Sequence, residues 1–202
     1  MGNISLAIVV GSVLGDGYIT RIRTLKGSAS MEFKYSDKYY EYLCWLHRNL
    51  MPLGVGRICP HQNQQHRFLT TSSVEIGRVR KVFYDFTGTK IVPLEIEDLL
   101  VNPLSLAVWY MDDGTLDYRE KYHRNVLLAT YNFTFEECKL LRETLKENFD
   151  LKSSVTKCTM RGKVYPRLYI WAKSTLQFLE IVSPYVNTLK CMRHKTLYKV
   201  VP

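Results

Sequence analysis

The chain has 202 residues, 46% of them hydrophobic, with 28 Lys and Arg against 19 Asp and Glu and a formal charge of +9. That length holds one full domain or two small ones sharing a core, and the composition excludes disordered and fibrous classes. The surplus charge makes a polyanion the favoured partner, nucleic acid ahead of an acidic membrane surface.

The chain opens on an apolar run, Ile4 to Leu14, too short to span a bilayer and without a basic lead or an Ala-x-Ala site. Neither a membrane segment nor a secretory leader is expected from it. It closes as Val9-Val10-Gly11-Ser12-Val13-Leu14-Gly15-Asp16-Gly17, which reads as a buried helix stopping at glycine. Strand-like stretches follow at Tyr18 to Arg23 and Met31 to Tyr35. A helix over Lys38 to Leu50 carries Tyr39, Tyr42, Leu43, Leu46 and Leu50 on one face. Two short basic strands, Gly56 to Cys59 and Arg67 to Thr71, precede a helix near Val74 to Phe86.

A joining span, residues 89–102, separates a first unit (1–88) from a second (103–202). Asn102 is placed to cap the next helix, with Pro103 in its first turn. That helix ends as Leu106-Ala107-Val108-Trp109-Tyr110-Met111-Asp112-Asp113-Gly114. Asn125 to Thr130 then alternates like a strand, and Thr134 with Glu137 forms a capping box for a helix to Phe149. Strands Ser154 to Met160 and Val164 to Trp171 meet in a hairpin at Arg161-Gly162-Lys163, and a helix near Lys173 to Val182 closes the unit. The order is helix, two strands, helix, two strands, helix, written twice.

Asp16 and Asp113 lie 97 residues apart (113 minus 16), so the repeat brings the two Asp-Gly ends into register. A carboxylate is poorly placed at the carbonyl end of a helix, which is already negative. Two such ends packed about a pseudo-twofold axis repel unless a cation lies between them, and a divalent metal acting on a phosphate ester supplies that cation. Gly11 and Gly15 allow the close helix approach this needs. The five cysteines, Cys44, Cys59, Cys138, Cys158 and Cys191, form no Cys-x-x-Cys pair and fit free thiols in a reducing compartment. Cys59, His61 and His66 lack the fourth ligand of a zinc site, so the histidines are expected on a polar or phosphate-facing surface.

The paired motifs, the element order and segments such as Tyr39-Tyr40-Glu41-Tyr42-Leu43, Leu128-Ala129-Thr130-Tyr131-Asn132-Phe133-Thr134 and Tyr169-Ile170-Trp171-Ala172-Lys173 resemble the single-chain, two-motif LAGLIDADG homing endonucleases over essentially the whole chain. The resemblance implies an α+β fold of two pseudo-symmetric αββαββα subdomains. Each would carry a curved four-stranded antiparallel sheet forming a saddle over DNA, with the motif helices at the interface. It implies a monomeric, intracellular enzyme of an organelle (chloroplast or mitochondrion) or a prokaryotic cytoplasm. The enzyme would cut a long, asymmetric double-stranded DNA site to four-nucleotide 3′ overhangs. Asp16 and Asp113 would bind Mg²⁺, joined by the backbone carbonyls of Gly15 and Asp112, with Mn²⁺ able to substitute and Ca²⁺ binding without cleavage. Lys173 matches the place of a lysine near the active site at the end of the last strand. Some relatives fold intron RNA as maturases, which makes intron RNA the alternative partner.

On such a fold, recognition falls to basic residues of the strands and their connections. In the first half these are Arg21, Arg23, Lys26, Lys34, Arg57 and Arg67. In the second they are Arg119, Lys121, Arg124, Lys157, Arg161, Lys163 and Arg167. Some would read base edges in the major groove and others would grip phosphate. The final segment, with Arg193, His194, Lys195 and Lys199, either touches phosphate or packs through Leu197 and Tyr198. Two departures from the family pattern stand out: the first motif has Gly15 where the second has Asp112, which makes the site chemically lopsided, and Val108 and Trp109 bring bulk to an interface usually lined by small residues.

Overall fold

A computed structural model describes residues 1–22, 25–119 and 123–197, with backbone alone at 123 and 124. Two four-stranded antiparallel sheets follow one plan, ordered β1-β2-β4-β3 and β5-β6-β8-β7. In the first half, helix α1 (Asn3–Leu14) leads into β1 (Tyr18–Ile19) and β2 (Met31–Ser36). Helix α2 (Tyr40–Asn49), strands β3 (Cys59–His61) and β4 (Gln65–Leu69), and helix α3 (Val74–Phe83) complete it. A short helix α4 (Ile96–Leu99) lies in the connection. The second half repeats the order with α5 (Pro103–Asp113), β5 (Gly114–Arg119), β6 (His123–Ala129), α6 (Phe135–Phe149), β7 (Ser153–Met160), β8 (Lys163–Ile170) and α7 (Ala172–Val186). A 3-10 turn at Lys190–Lys195 follows. Among the described residues no helix is long and apolar enough to cross a membrane.

Helices α1 and α5 form the seam, and their sequences show why. Ala7 to Leu14 and Leu104 to Met111 are buried almost without a break, so neither helix keeps a polar face for water. Gly11 makes the approach possible: a Cβ there would lie 2.8 Å from the Val108 Cβ and closer still to the Ser105 carbonyl oxygen. The bulk of Val108 is therefore met by a missing side chain opposite. Trp109 is fully buried, its indole nitrogen without a hydrogen-bond partner.

Strand alternation fixes the rest of the core. Met31, Phe33 and Tyr35 of β2 and Val126 and Leu128 of β6 point inward, against α2 and α7. The Thr134–Glu137 capping box and the Asn102 cap form as expected. Glu137 also accepts from the Val92 N–H at 2.9 Å, and the Asn148 side-chain amide donates to the Glu97 and Leu100 carbonyls at 2.7 and 3.0 Å. The joining span is thus pinned to α6 along its length.

Several boundaries differ from expectation. Strand β1 is two residues long, and beyond it Thr20 bonds Ser30 through backbone and hydroxyl. Strand β3 starts later and β4 earlier than expected, because Asn63 and Gln64 take positive φ and form a tight turn between them, leaving Arg57 before the strand. Helix α3 stops at Phe83 because Tyr84 turns extended and bridges to Lys90. All five cysteines are free thiols. His66 faces the Asp37 carboxylate at 2.9 Å, not a cysteine.

Candidate active site at the motif helix ends

The acidic ends meet as the repeat requires. Asp113 is the last residue of α5, and Asp16 lies two residues past the end of α1. Burial, and then the charge of Asp16, push the Asp113 carboxyl up to about 7, while Lys90 and Lys195 pull it down. A third carboxylate, Asp112, joins them. One oxygen of Asp112 accepts from the Tyr35 and Tyr42 hydroxyls at 2.8 and 3.0 Å; the other accepts from the Asp16 backbone N–H at 3.1 Å. Burial, with Asp16 and Asp113 nearby, holds the Asp112 carboxyl well above the usual range, though three donated hydrogen bonds favour its charged form. The reciprocal position is Gly15, where a Cβ would lie 2.5 Å from the Asp112 side chain. Asp112 fits only because Gly15 is bare.

Two lysines close the site, and neither was singled out for it from sequence. Lys90, in the joining span, donates to the Gly15 carbonyl at 2.6 Å. Lys195, in the turn after α7, reaches the carbonyls of Met111, Tyr110 and Asp112 at 2.5, 3.3 and 3.5 Å. Its own carbonyl accepts from the Tyr110 hydroxyl at 2.6 Å, which fixes the turn. Burial lowers the proton affinity of both amines, and the three carboxylates oppose it. The Gly15 and Asp112 carbonyls, expected to face a metal, each meet an ammonium here. Lys173 lies elsewhere: at the start of α7 its ammonium stacks 4.9 Å from the ring centre of Trp171, a residue whose pocket is lined by none of the acidic trio.

Two clefts run outward from this centre and share Tyr39. One, about 490 Å³, goes from Asp16 along Glu32, Lys34 and Gln65 of the first sheet. The other, about 350 Å³, goes from Asp113 along Thr115, Leu116 and Ala129 of the second, with His194 and Lys195 on its wall. Lys34 and Arg67 are register partners on the outer face of the first sheet, where Arg67 pairs with Glu32 at 3.3 Å. Arg119 projects from the end of β5, paired with Asp117 at 3.3 Å, and Arg167 lies half-buried on β8 beside Tyr131. Arg161 and Lys163 are exposed at the β7–β8 hairpin, and Arg21, Lys26 and Arg57 are exposed in connections. Lys157 is exposed but pairs with Pro166, which puts it on the inward-facing set of β7 positions, opposite to the expected reading face. Arg23, Lys121, Tyr198, Lys199 and the side chain of Arg124 lie outside the described residues.

The donor set is oxygen only, which suits hard divalent cations. Among the described residues no group of three or more His, Cys, Asp or Glu is placed to hold an ion by itself. Asp16 and Asp113 fit as partial ligands, with the second lone pairs of the Gly15 and Asp112 carbonyls, a phosphate and water left to fill the remaining positions.

A model of the LAGLIDADG DNA endonuclease family matches residues 6–178. Cytochrome b mRNA maturase bI2 of Debaryomyces hansenii is 29% identical over 197 residues, covering 90% of this chain and 70% of that protein. Two further curated relatives are covered over only 46% of their length, so the chain spans about half of each. The structure of the homing endonuclease I-WcaI bound to its DNA recognition sequence superposes with a TM-score of 0.77 at 23% identity, covering 98% of this chain and 88% of that one. A single-substitution variant of I-DmoI, in complex with its target DNA in the presence of Mn, superposes with a TM-score of 0.58 at 15% identity, covering 92% and 98%.

Proposed function

The chain belongs to the LAGLIDADG DNA endonuclease family, and from that premise we propose that it is a monomeric, site-specific, metal-dependent DNA endonuclease. It cuts both strands of a long asymmetric target and leaves four-nucleotide 3′ overhangs. The observation that carries this reading is the convergence of Asp16 and Asp113, one from each half, at the junction of two clefts that run along the two sheets.

Asp16 and Asp113, with the carbonyls of Gly15 and Asp112, would hold Mg²⁺; Mn²⁺ substitutes, and Ca²⁺ binds without supporting cleavage. Bound there, the cation supplies Lewis acidity and a lowered pKa for water at the scissile phosphate. The protein's own groups do the rest. Lys90 and Lys195 place positive charge at the carboxylates, one from the joining span and one from the second half, where phosphate charge develops. Tyr35 and Tyr42 fix Asp112, and Asp112 fixes the Asp16 backbone. Lys34, Arg67, Arg119, Arg161, Lys163 and Arg167 form the recognition set with Arg21, Lys26 and Arg57; Lys157 serves at most as a phosphate contact. The two units, 1–88 and 103–202, act on the two halves of the target, and the free thiols fit a reducing, intracellular setting.

Digestion of a randomised DNA library with Mg²⁺, then with Ca²⁺, tests the reading. End-sequencing should return one long site with four-nucleotide 3′ ends in Mg²⁺ only. Ragged ends, or no cleavage of any member, would refute it. A second reading, intron RNA maturation, has one observation in its favour: the maturase relative at 29% identity.

A further inference from the structure

On the flank of the second half, a pocket of about 410 Å³ opens between α6 and the start of β7. It contains none of the acidic trio and none of the residues expected to read DNA. One wall is Trp171, 39% exposed, its ring held in place because the indole N–H donates to the Ser154 hydroxyl at 2.7 Å. Cations surround it: Arg142 from α6, Lys146 from the same helix, paired with Glu147 at 2.8 Å, Lys152 ahead of β7, and Lys173 over the ring. Glu143, paired with Arg142, is the acid on its wall. At the floor the Ser153 hydroxyl, 8% exposed, has no hydrogen-bond partner in the protein. A buried hydroxyl left unpaired is costly, and a ligand polar atom would relieve it.

We propose that this pocket binds an unpaired nucleotide of a folded RNA. The base stacks on Trp171, its edge meets the Ser153 hydroxyl and the Glu143 carboxylate, and its phosphates meet Lys152, Arg142 and Lys146. Ring stacking needs a base out of its helix, which loops and bulges of RNA present and intact duplex DNA does not. The pocket goes beyond the cleavage reading and does not depend on it, because the two surfaces share no residue.

The test is titration of the intact protein with a short, labelled single-stranded RNA of mixed sequence, followed by anisotropy, alongside binding and cleavage of duplex DNA. Trp171→Ala and Lys152→Glu should each weaken RNA binding roughly tenfold, the scale of one lost base stack or phosphate contact, and leave the duplex measurements unchanged. Lys152 is exposed, so its variant keeps the test alive if Trp171→Ala does not fold. Wild-type RNA affinity in folded Lys152→Glu and Trp171→Ala would overturn the proposal. So would absence of RNA binding in the parent protein, or one-for-one displacement of RNA by duplex DNA. Loss of DNA cleavage with these RNA results intact would fault the nuclease reading alone.

Discussion

The two halves share one topology but finish their motifs differently. The first ends in Leu14-Gly15-Asp16, the second in Met111-Asp112-Asp113. Where the first half has no side chain, the second has a carboxylate that crosses the seam and is held by two tyrosines and a backbone amide of the first half. The lysines are unequal too: Lys90 makes one carbonyl contact, Lys195 three. Pseudo-symmetry therefore places the acids, while asymmetry sets how firmly each is held.

The largest effect should come where the halves are equivalent. Asp16→Asn and Asp113→Asn should each reduce cleavage roughly a thousandfold or more, since each removes a metal-binding charge worth several kcal/mol. Duplex binding measured in Ca²⁺ should survive in both. A variant that still cuts both strands at a normal rate would break the equivalence.

The next effect separates the halves. Gly15→Ala forces a Cβ against Asp112 and should cost about 1–3 kcal/mol of stability through overpacking, read from denaturant midpoints. Asp112→Ala introduces no clash but frees the Asp16 backbone, so it should shift the ratio of the two strand-nicking rates by about tenfold, or 1.4 kcal/mol. End-labelling each strand of a cognate duplex measures that ratio. An unchanged ratio would mean that Asp112 serves packing only.

A smaller loss is expected for the lysines. Lys90→Met and Lys195→Met should slow cleavage by roughly 10- to 100-fold, the range of a charge-assisted contact, with Lys195→Met also lowering stability. The smallest effect concerns pH. The Asp113 carboxyl is raised to about 7 in the fold, so without metal the folded state binds the proton more tightly than the unfolded chain. Its contribution to stability accordingly falls as pH rises from about 4 to about 7. The stabilisation gained on adding Mg²⁺ should grow over the same interval, as read from thermal midpoints with Mg²⁺ and with chelator.

The sequence made some of this plain and concealed the rest for physical reasons. Asp16 and Asp113 were readable because a repeat at a fixed offset keeps equivalent positions in step. Lys90 and Lys195 were not, because the closing helices differ in length, ten residues in α3 against fifteen in α7, and the offset no longer holds beyond them. What they share is position: each follows the closing helix of one repeat, Lys90 seven residues after α3 and Lys195 nine after α7 (90 minus 83, 195 minus 186). Tyr35 and Tyr42 read as ordinary core-facing positions of a strand and a helix, and so they are; their hydroxyls reach Asp112 only through tertiary packing. Asp112 itself was picked for its carbonyl, while its side chain makes the bonds. Arg57 falls ahead of its strand because the β3–β4 turn sits at Asn63 and Gln64, and Lys157 falls among the inward-facing positions through the alternation of β7.

The lysine that braces the carbonyl end of α5 arrives from the turn after α7, 84 residues beyond the Met111 carbonyl it meets. A contact of that span forms only when the sheet and closing helix of the second half have brought the turn back to the seam. Full activity is thereby coupled to the folding of a whole half, and a chain whose second sheet has come apart keeps both acids but loses the charge set between their supports.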